Sequence, residues 1–319
     1  MIELLQSQIP FLLAFQDING LTGLAEFFTF LGREEFFLLL LPLVYLCIDS
    51  GIGARLAFIL LLGDSLNGVV KLLFHLPRPY WIDSRVQPLS TGTSYGLPSG
   101  HAQNGVSVWF FLAGVLRRPW GWTGAAVVVL LISFSRAYLG VHFPSDVVGG
   151  WIIGGLFLLT YLKIEPIAKD WLGRQPVARQ IGAAFIASLA LVLVSIAARL
   201  YLNGVPDPDL WAAFAVDARS LAGVISDAGA LFGIGAGWAL TTRWARFNAG
   251  GPILKRLARF LIGLTTVGVI YFGLRALFPQ EPEALGLTLR YIRYAFLGWT
   301  VIFAVPWAML KLGLASAGE

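Results

Sequence analysis

Residues Ser135–Asp146 read SRAYLGVHFPSD, and this stretch decides how the chain has to fold. It lies between two apolar runs, at 121–140 and 144–163, each near the roughly 20 residues a helix needs to cross a bilayer. Arg136 therefore closes one predicted membrane helix. His142 stands in the turn before Pro144, a residue suited to the first position of the next. Asp146 falls in that helix's first turn, near enough to accept a bond from one imidazole nitrogen. A carboxylate that fixes the tautomer leaves the other nitrogen free as a nucleophile. The plainer alternative is that His142 and Asp146 only cap the helix.

Two further blocks lie upstream. Lys71 is followed after six residues by Arg78-Pro79, and later comes Pro98-Ser99-Gly100-His101. Pro77 and Pro79 end the helix that carries Lys71, so Arg78 projects from a stiff turn, a setting that suits bidentate contact with a phosphate. Both cations could instead be side chains snorkelling at a membrane edge. Ser99 is a favoured helix cap. In the functional reading, free N–H groups at that helix start bind an anion, Gly100 allows close approach, Ser99 donates its hydroxyl and His101 stands beside a leaving oxygen. Lys71 ends a helix, His101 begins the next, Arg136 ends one and His142 precedes another, so all four reach one membrane face.

Composition sets the frame for these blocks. The chain is 57% hydrophobic and 13% charged, against about 25% charged in a soluble domain, so it is built for lipid. The predicted fold is an all-α integral membrane protein of about nine spans: 33–48, 54–75, 99–116, 121–140, 144–163, 181–202, 220–241, 258–278 and 290–312. Residues 1–32, broken by Pro10, Asp17, Asn19 and Gly20, read as an interfacial helical segment, with a true span as the alternative. Residues 33–163 read as the core and 164–319 as a C-terminal transmembrane extension, entered through an amphipathic connector bearing Lys163, Lys169, Arg174 and Arg179.

Charge sets the expected orientation. If the three blocks face outward, the opposite loops carry Arg55, Arg117, Arg118, Lys163, Lys169, Arg174, Arg179, Arg243, Arg246, Lys255, Arg256, Arg259 and Lys311. Those thirteen leave ten of the 23 cations on the outer side, three of them in the blocks themselves. Cytoplasmic loops attract Lys and Arg, which puts the C-terminus in the cytoplasm and the blocks on the non-cytoplasmic face. The same bias explains a pI near 9.5 without nucleic acid. No basic region precedes Arg33, so a cleavable signal peptide is not expected.

Other positions have quieter readings. Cys47 stands alone, so no intrachain disulfide forms, and it packs as a small hydrophobe. His75 reads as an interfacial residue. Asp64 sits two helical turns before Lys71, and the cost of a carboxylate at that depth predicts that it faces the bundle, with Asn67 as a candidate partner. Gly150 and Gly154 allow close packing within the chain. Residues 80–97, the longest outer loop of the core, suit a lid or selectivity element.

Taken in order and spacing, the three blocks resemble the signature of the type-2 phosphatidic acid phosphatase superfamily. The resemblance implies a membrane phosphatase with a six-helix core, working without metal or other cofactor. Lys71, Arg78, Ser99, Gly100 and Arg136 would bind the phosphoryl group. His142 would attack to form a phosphohistidine, Asp146 would orient it, and His101 would protonate the departing alcohol and then activate water. Soluble haloperoxidases share the signature, but this chain is too apolar for that branch. In overall layout it is similar to the glucose-6-phosphatase branch, through Gly63-Asp64-Ser65-Leu66-Asn67, Arg78-Pro79-Tyr80-Trp81 and, loosely, Leu231-Phe232-Gly233. The chain closes on Ala315-Ser316-Ala317-Gly318-Glu319, without the basic tail of a reticulum resident, which favours a plasma or inner membrane. Lipid phosphates and diphosphates are the expected substrates, because the site opens at headgroup depth. A sugar phosphate or transfer to a hydroxyl acceptor is the alternative, and a non-catalytic scaffold would not need every catalytic position filled.

Overall fold

The computed structural model describes residues 2–90, 92–279, 281 and 283–318. Three short helices open the chain: α1 (Ile2–Gln6), α2 (Ile9–Gln16) and α3 (Thr22–Phe30). None approaches bilayer length. Then follow α4 (Glu34–Cys47), α5 (Ser50–Phe74), the single turn α6 (Pro79–Ile82), α7 (Gly100–Leu116), α8 (Pro119–Tyr138) and α9 (Pro144–Gly173). The C-terminal half holds α10 (Val177–Asn203), α11 (Ala212–Ala218), α12 (Ala222–Trp244), α13 (Ile253–Leu277), α14 (Glu283–Trp299), a π-helical turn (Thr300–Ala304) and α15 (Val305–Lys311). Two-residue strands β1 (Phe247–Asn248) and β2 (Ser316–Ala317) pair antiparallel.

Local chemistry sets the boundaries. The Asp49 carboxylate accepts the Ile52 N–H at 2.8 Å and caps α5. That helix stops where His75 takes the left-handed conformation, φ 40°, two residues before Pro77. Arg117 closes α7 in the same way, φ 52°, and Pro119 and Pro144 open α8 and α9.

Seven helical stretches among the described residues are long and apolar enough to cross a bilayer: Ser50–Ile82, Pro119–Tyr138, Pro144–Gly173, Val177–Asn203, Ala212–Trp244, Ile253–Leu277 and Glu283–Lys311. The other two expected spans are the shorter helices α4, of 14 residues, and α7, of 17. The expected amphipathic connector does not form a separate element. Instead α9 continues past Pro166 to Gly173. Large side chains such as Ile152, Leu156, Leu159, Ile186, Leu193, Leu261 and Phe272 point outward, as on a surface facing lipid rather than water.

The chain divides into two compact units. The first comprises Met1–Phe36, Leu66–Leu162 and Val194–Leu221. Its N-terminal helices pack on the end of α8: Leu5, Ile9 and Leu12 are buried with Val86, Ala137 and Phe143, and Ala25 with Tyr138, Leu139 and Val141. Gln8 accepts the Ser145 N–H at 2.9 Å, and Gln16 bonds both ways with Gln87. Helices α7 and α9 cross closely because Gly150 and Gly154 lack side chains. A Cβ there would lie 2.6 Å from the Ser99 carbonyl oxygen and 2.5 Å from that of Gln103. The second unit comprises Phe37–Ser65, Lys163–Leu193 and Ala222–Glu319, with Tyr45, Leu46, Cys47, Ile234, Phe247, Ile302 and Met309 in its core. There Tyr45 and Thr241 both donate to the Ile302 carbonyl within the π-helical turn.

Candidate active site

All eight residues singled out from the three blocks belong to the first unit. Lys71, Arg78, Ser99, Arg136, His142 and Asp146 are buried, although they come from six different helices, caps and turns. Burying a charge is costly unless it is paired or hydrogen-bonded, so the partners define the site.

His142 occupies the turn between α8 and α9. Its Nδ1 lies 3.2 Å from Asp146 Oδ2, which also accepts the Phe143 N–H at 3.0 Å. One carboxylate oxygen thus holds both the ring and the backbone of the turn. The Asp146 carbonyl accepts the Ser99 N–H at 2.9 Å, which ties the second block to the third. On the other side of the ring, Nε2 lies 3.3 Å from Arg78 Nη1. Burial, then the nearby Arg78, Lys71 and Arg136, holds the His142 pKa well below its ordinary 6.5. The imidazole is therefore neutral at pH 7, with Nε2 carrying its lone pair when Nδ1–H faces Asp146.

Arg78 caps the short α6 in an extended conformation, φ −89° and ψ 161°. Its guanidinium donates to the Ser94 carbonyl at 2.6 Å, the Ser94 hydroxyl at 3.1 Å and the Val141 carbonyl at 2.9 Å. The Lys71 ammonium donates to the carbonyls of Tyr95 and, at 3.1 Å, Gly96. Residues 94–96 thus hold two of the cations, a different part from the lid read for loop 80–97; Thr91 of that loop lies outside the described residues. Gly92 is required beside Arg78, since a Cβ there would lie 2.5 Å from Cζ.

Ser99 takes the N-cap position of α7, yet its hydroxyl makes no capping bond. It is fully buried, and its Oγ, the Nε2 of His101 and the Nε of Arg136 have no hydrogen-bond partner among the described residues. Gly100 approaches Asn67, whose amide donates to Gln103 at 2.9 Å and to the Pro98 carbonyl at 3.3 Å. Three cations gathered around the His142 imidazole, with the free Ser99 hydroxyl and the free His101 nitrogen, fit a tetrahedral anion in charge and in donor type.

Several contributors carried no sequence signal. Thr29 of α3 accepts from Arg136 Nη1, and Gly32 leaves room for His101, whose Cδ2 would be 2.7 Å from a Cβ at that position. Asp64 is exposed on α5. It shares the helical face of Lys71, but the residues that bury Asn67 and Lys71, namely Pro98, Gln103 and residues 95–96, lie one to two turns further on. His75 is half-buried, its Nδ1 3.2 Å from the Leu73 carbonyl oxygen.

Comparison with known proteins places this geometry in a family. The PAP2 superfamily model matches residues 52–170, and the model for the transmembrane extension of PAP2 superfamily phosphatases matches 225–317. Glucose-6-phosphatase 2 of Homo sapiens is 23% identical over 308 residues, 83% of this chain and 84% of its own. Lipid phosphate phosphatase delta of Arabidopsis thaliana is 25% identical over 90% of this chain and 71% of its own. Undecaprenyl-diphosphatase of Sulfolobus acidocaldarius is 29% identical over 163 residues, 50% of this chain and 79% of its own. No solved structure matches the chain significantly. The chain belongs to the PAP2 superfamily and is a multi-pass, all-α membrane phosphatase.

Proposed function

We propose that the protein hydrolyses phosphate monoesters or diphosphates of membrane lipids through a phosphohistidine on His142. The reading is supported above all by the two sides of one ring: Nδ1 against Asp146 and Nε2 against Arg78, at 3.2 and 3.3 Å. In this mechanism the phosphoryl group sits among Lys71, Arg78, Ser99, Gly100 and Arg136, and Nε2 attacks phosphorus in line. The P–O bond to the organic group breaks as the P–N bond forms, and His101, held as an imidazolium by the anionic phosphate bound beside it, gives its proton to the departing oxygen. His101 then takes a proton from water, whose oxygen displaces Nε2 and releases inorganic phosphate. Asp146 keeps the ring in the attacking tautomer and stabilises the imidazolium form. Residues 33–163 carry the chemistry, on the non-cytoplasmic face by the distribution of Lys and Arg, and 164–319 form the extension.

The test is a short incubation of purified protein with 32P-labelled substrate, quenched in alkali. An acid-labile label on His142, absent from His142→Ala, is the expected result; turnover by His142→Ala would end the mechanism. A second reading, a soluble sugar phosphate as substrate, rests on the similarity to glucose-6-phosphatase 2 over 83% of this chain, set against 90% for lipid phosphate phosphatase delta. Phosphate release from detergent-solubilised phosphatidate and isoprenyl diphosphate, measured against glucose 6-phosphate, separates the two. A phosphorylated acceptor in place of free phosphate would identify a transferase.

A further inference from the structure

The segment between the two family matches, residues 171–224, is covered by neither model. It nevertheless reaches the site. Asp207 follows α10, with its side chain only 7% exposed, and both carboxylate oxygens accept the hydroxyl of Tyr95, at 2.9 and 3.1 Å. Arg219 locks the carboxylate from behind through Nε at 2.9 Å and Nη2 at 2.5 Å. The same guanidinium donates to the carbonyls of Leu202 and Val205, at 3.0 and 2.7 Å, which fixes Asp207 to the end of α10. Tyr95 is fully buried, so its ring and hydroxyl have one position. Its carbonyl is one of the two that hold the Lys71 ammonium. Beside this chain of contacts, Phe214 of α11 stacks on Trp81 at 5.6 Å and 8°, three residues after Arg78.

We propose that Asp207 is a positioning residue of this phosphatase: through the Tyr95 hydroxyl it fixes the carbonyls that aim Lys71 at the phosphate. The proposal rests on Lys71 as a phosphate ligand, the role given it above. Asp207 touches no substrate; it sets the direction of a cation that does. Burial and the Asp207 bond raise the Tyr95 pKa to about 12, so the hydroxyl keeps its proton, and the bond with it, at physiological pH. An ammonium on four rotatable bonds has no fork geometry of its own, so its direction comes from the carbonyls around it. The stretch 205–219 is thereby part of the site and not only a link to the extension.

The experiment uses the purified full chain in detergent and compares wild type with Tyr95→Phe, Asp207→Ala and Asp207→Glu. Calorimetry with inorganic phosphate gives affinity, steady-state assays give kcat and KM, and thermal unfolding reports integrity. Tyr95→Phe and Asp207→Ala are expected to weaken phosphate affinity and raise KM about tenfold, the scale seen when the partner behind a ligand is lost, with a smaller fall in kcat. Asp207→Glu restores most of the affinity. In a Lys71→Met background Tyr95→Phe costs nothing further. Tyr95→Phe removes one oxygen and keeps the ring, so it decides the matter even where Asp207→Ala fails to fold. Unchanged phosphate affinity in Tyr95→Phe, or an equal loss without Lys71, overturns the proposal. Absence of label on His142 with an intact Tyr95→Phe effect would instead strike the phosphohistidine mechanism and leave the positioning role standing.

Discussion

The guanidinium of Arg78 bonds Ser94 twice, the Val141 carbonyl and the free nitrogen of His142. A lysine keeps the charge and loses the fork, so Arg78→Lys is expected to lower kcat/KM by about a hundredfold or more at unchanged thermal stability; near-normal kinetics would mean that charge alone matters. His142 makes the acid side of the pH profile a second test. Burial and neighbouring cations put its folded pKa well below 6.5, so the nucleophile stays unprotonated under mild acid, and the acid limb of kcat/KM attributable to it lies below 6.5. The same shift links to stability. Between the folded and unfolded pKa values the unfolded chain binds the extra proton, so this contribution is complete above pH 6.5 and is lost as pH falls towards the folded value. Thermal midpoints measured across that window, compared with His142→Ala, check the sign. Little of this could be read from sequence, because two of the three oxygens that hold Arg78, the carbonyls of Ser94 and Val141, are backbone groups that every residue possesses.

Between elements, the crossing of α7 and α9 decides whether Ser99 and His101 face His142. Gly150 and Gly154 let the α9 backbone approach Ser99 and Gln103 within a Cβ's reach, and these neighbours are backbone, which cannot swing aside. Gly150→Leu is expected to destabilise the protein by about 1–3 kcal/mol and to lower activity further by separating the second and third blocks. Gly92→Ala has another signature. Its Cβ would meet the Arg78 guanidinium, a flexible group held only by its hydrogen bonds, so activity should drop with little change in unfolding temperature. If both quantities fall together, the 92–96 segment is holding the fold rather than the cation. The helices themselves were legible from apolar run length and proline placement, down to Pro144 opening α9. The N-terminal segment was legible as helical, but its docking on α8 was not: it rests on Gln8, Gln16 and scattered leucines, which carry no period.

At the scale of the whole molecule, the outward apolar side chains and the seven bilayer-length helices among the described residues make the protein an object of the membrane. The proposed orientation can be measured directly. Cys47 is the sole cysteine and is buried, so Cys47→Ser gives a background in which single cysteines at 85 and 316 report sidedness to an impermeant thiol reagent. Labelling of position 85 from outside and of 316 only after permeabilisation is the expected pattern; the reverse would overturn the charge argument. Vanadate, which adopts the five-coordinate geometry of phosphoryl transfer, should compete with substrate, and EDTA should leave turnover unchanged. A loss of activity restored by added divalent metal would defeat the metal-free scheme.

The order of residues fixed what could be decided one-dimensionally: a lipid-bound helical chain, and cations and imidazoles at helix ends sharing one face, because hydrophobic period and helix parity are local properties. The folded arrangement alone decided which atoms meet. Thr29 beside Arg136, residues 94–96 under Lys71 and Arg78, and Asp207 behind Tyr95 all join segments separated in sequence. Such contacts depend on how helices dock, and docking is set by the summed fit of many weak packing interactions that leave no motif in the chain.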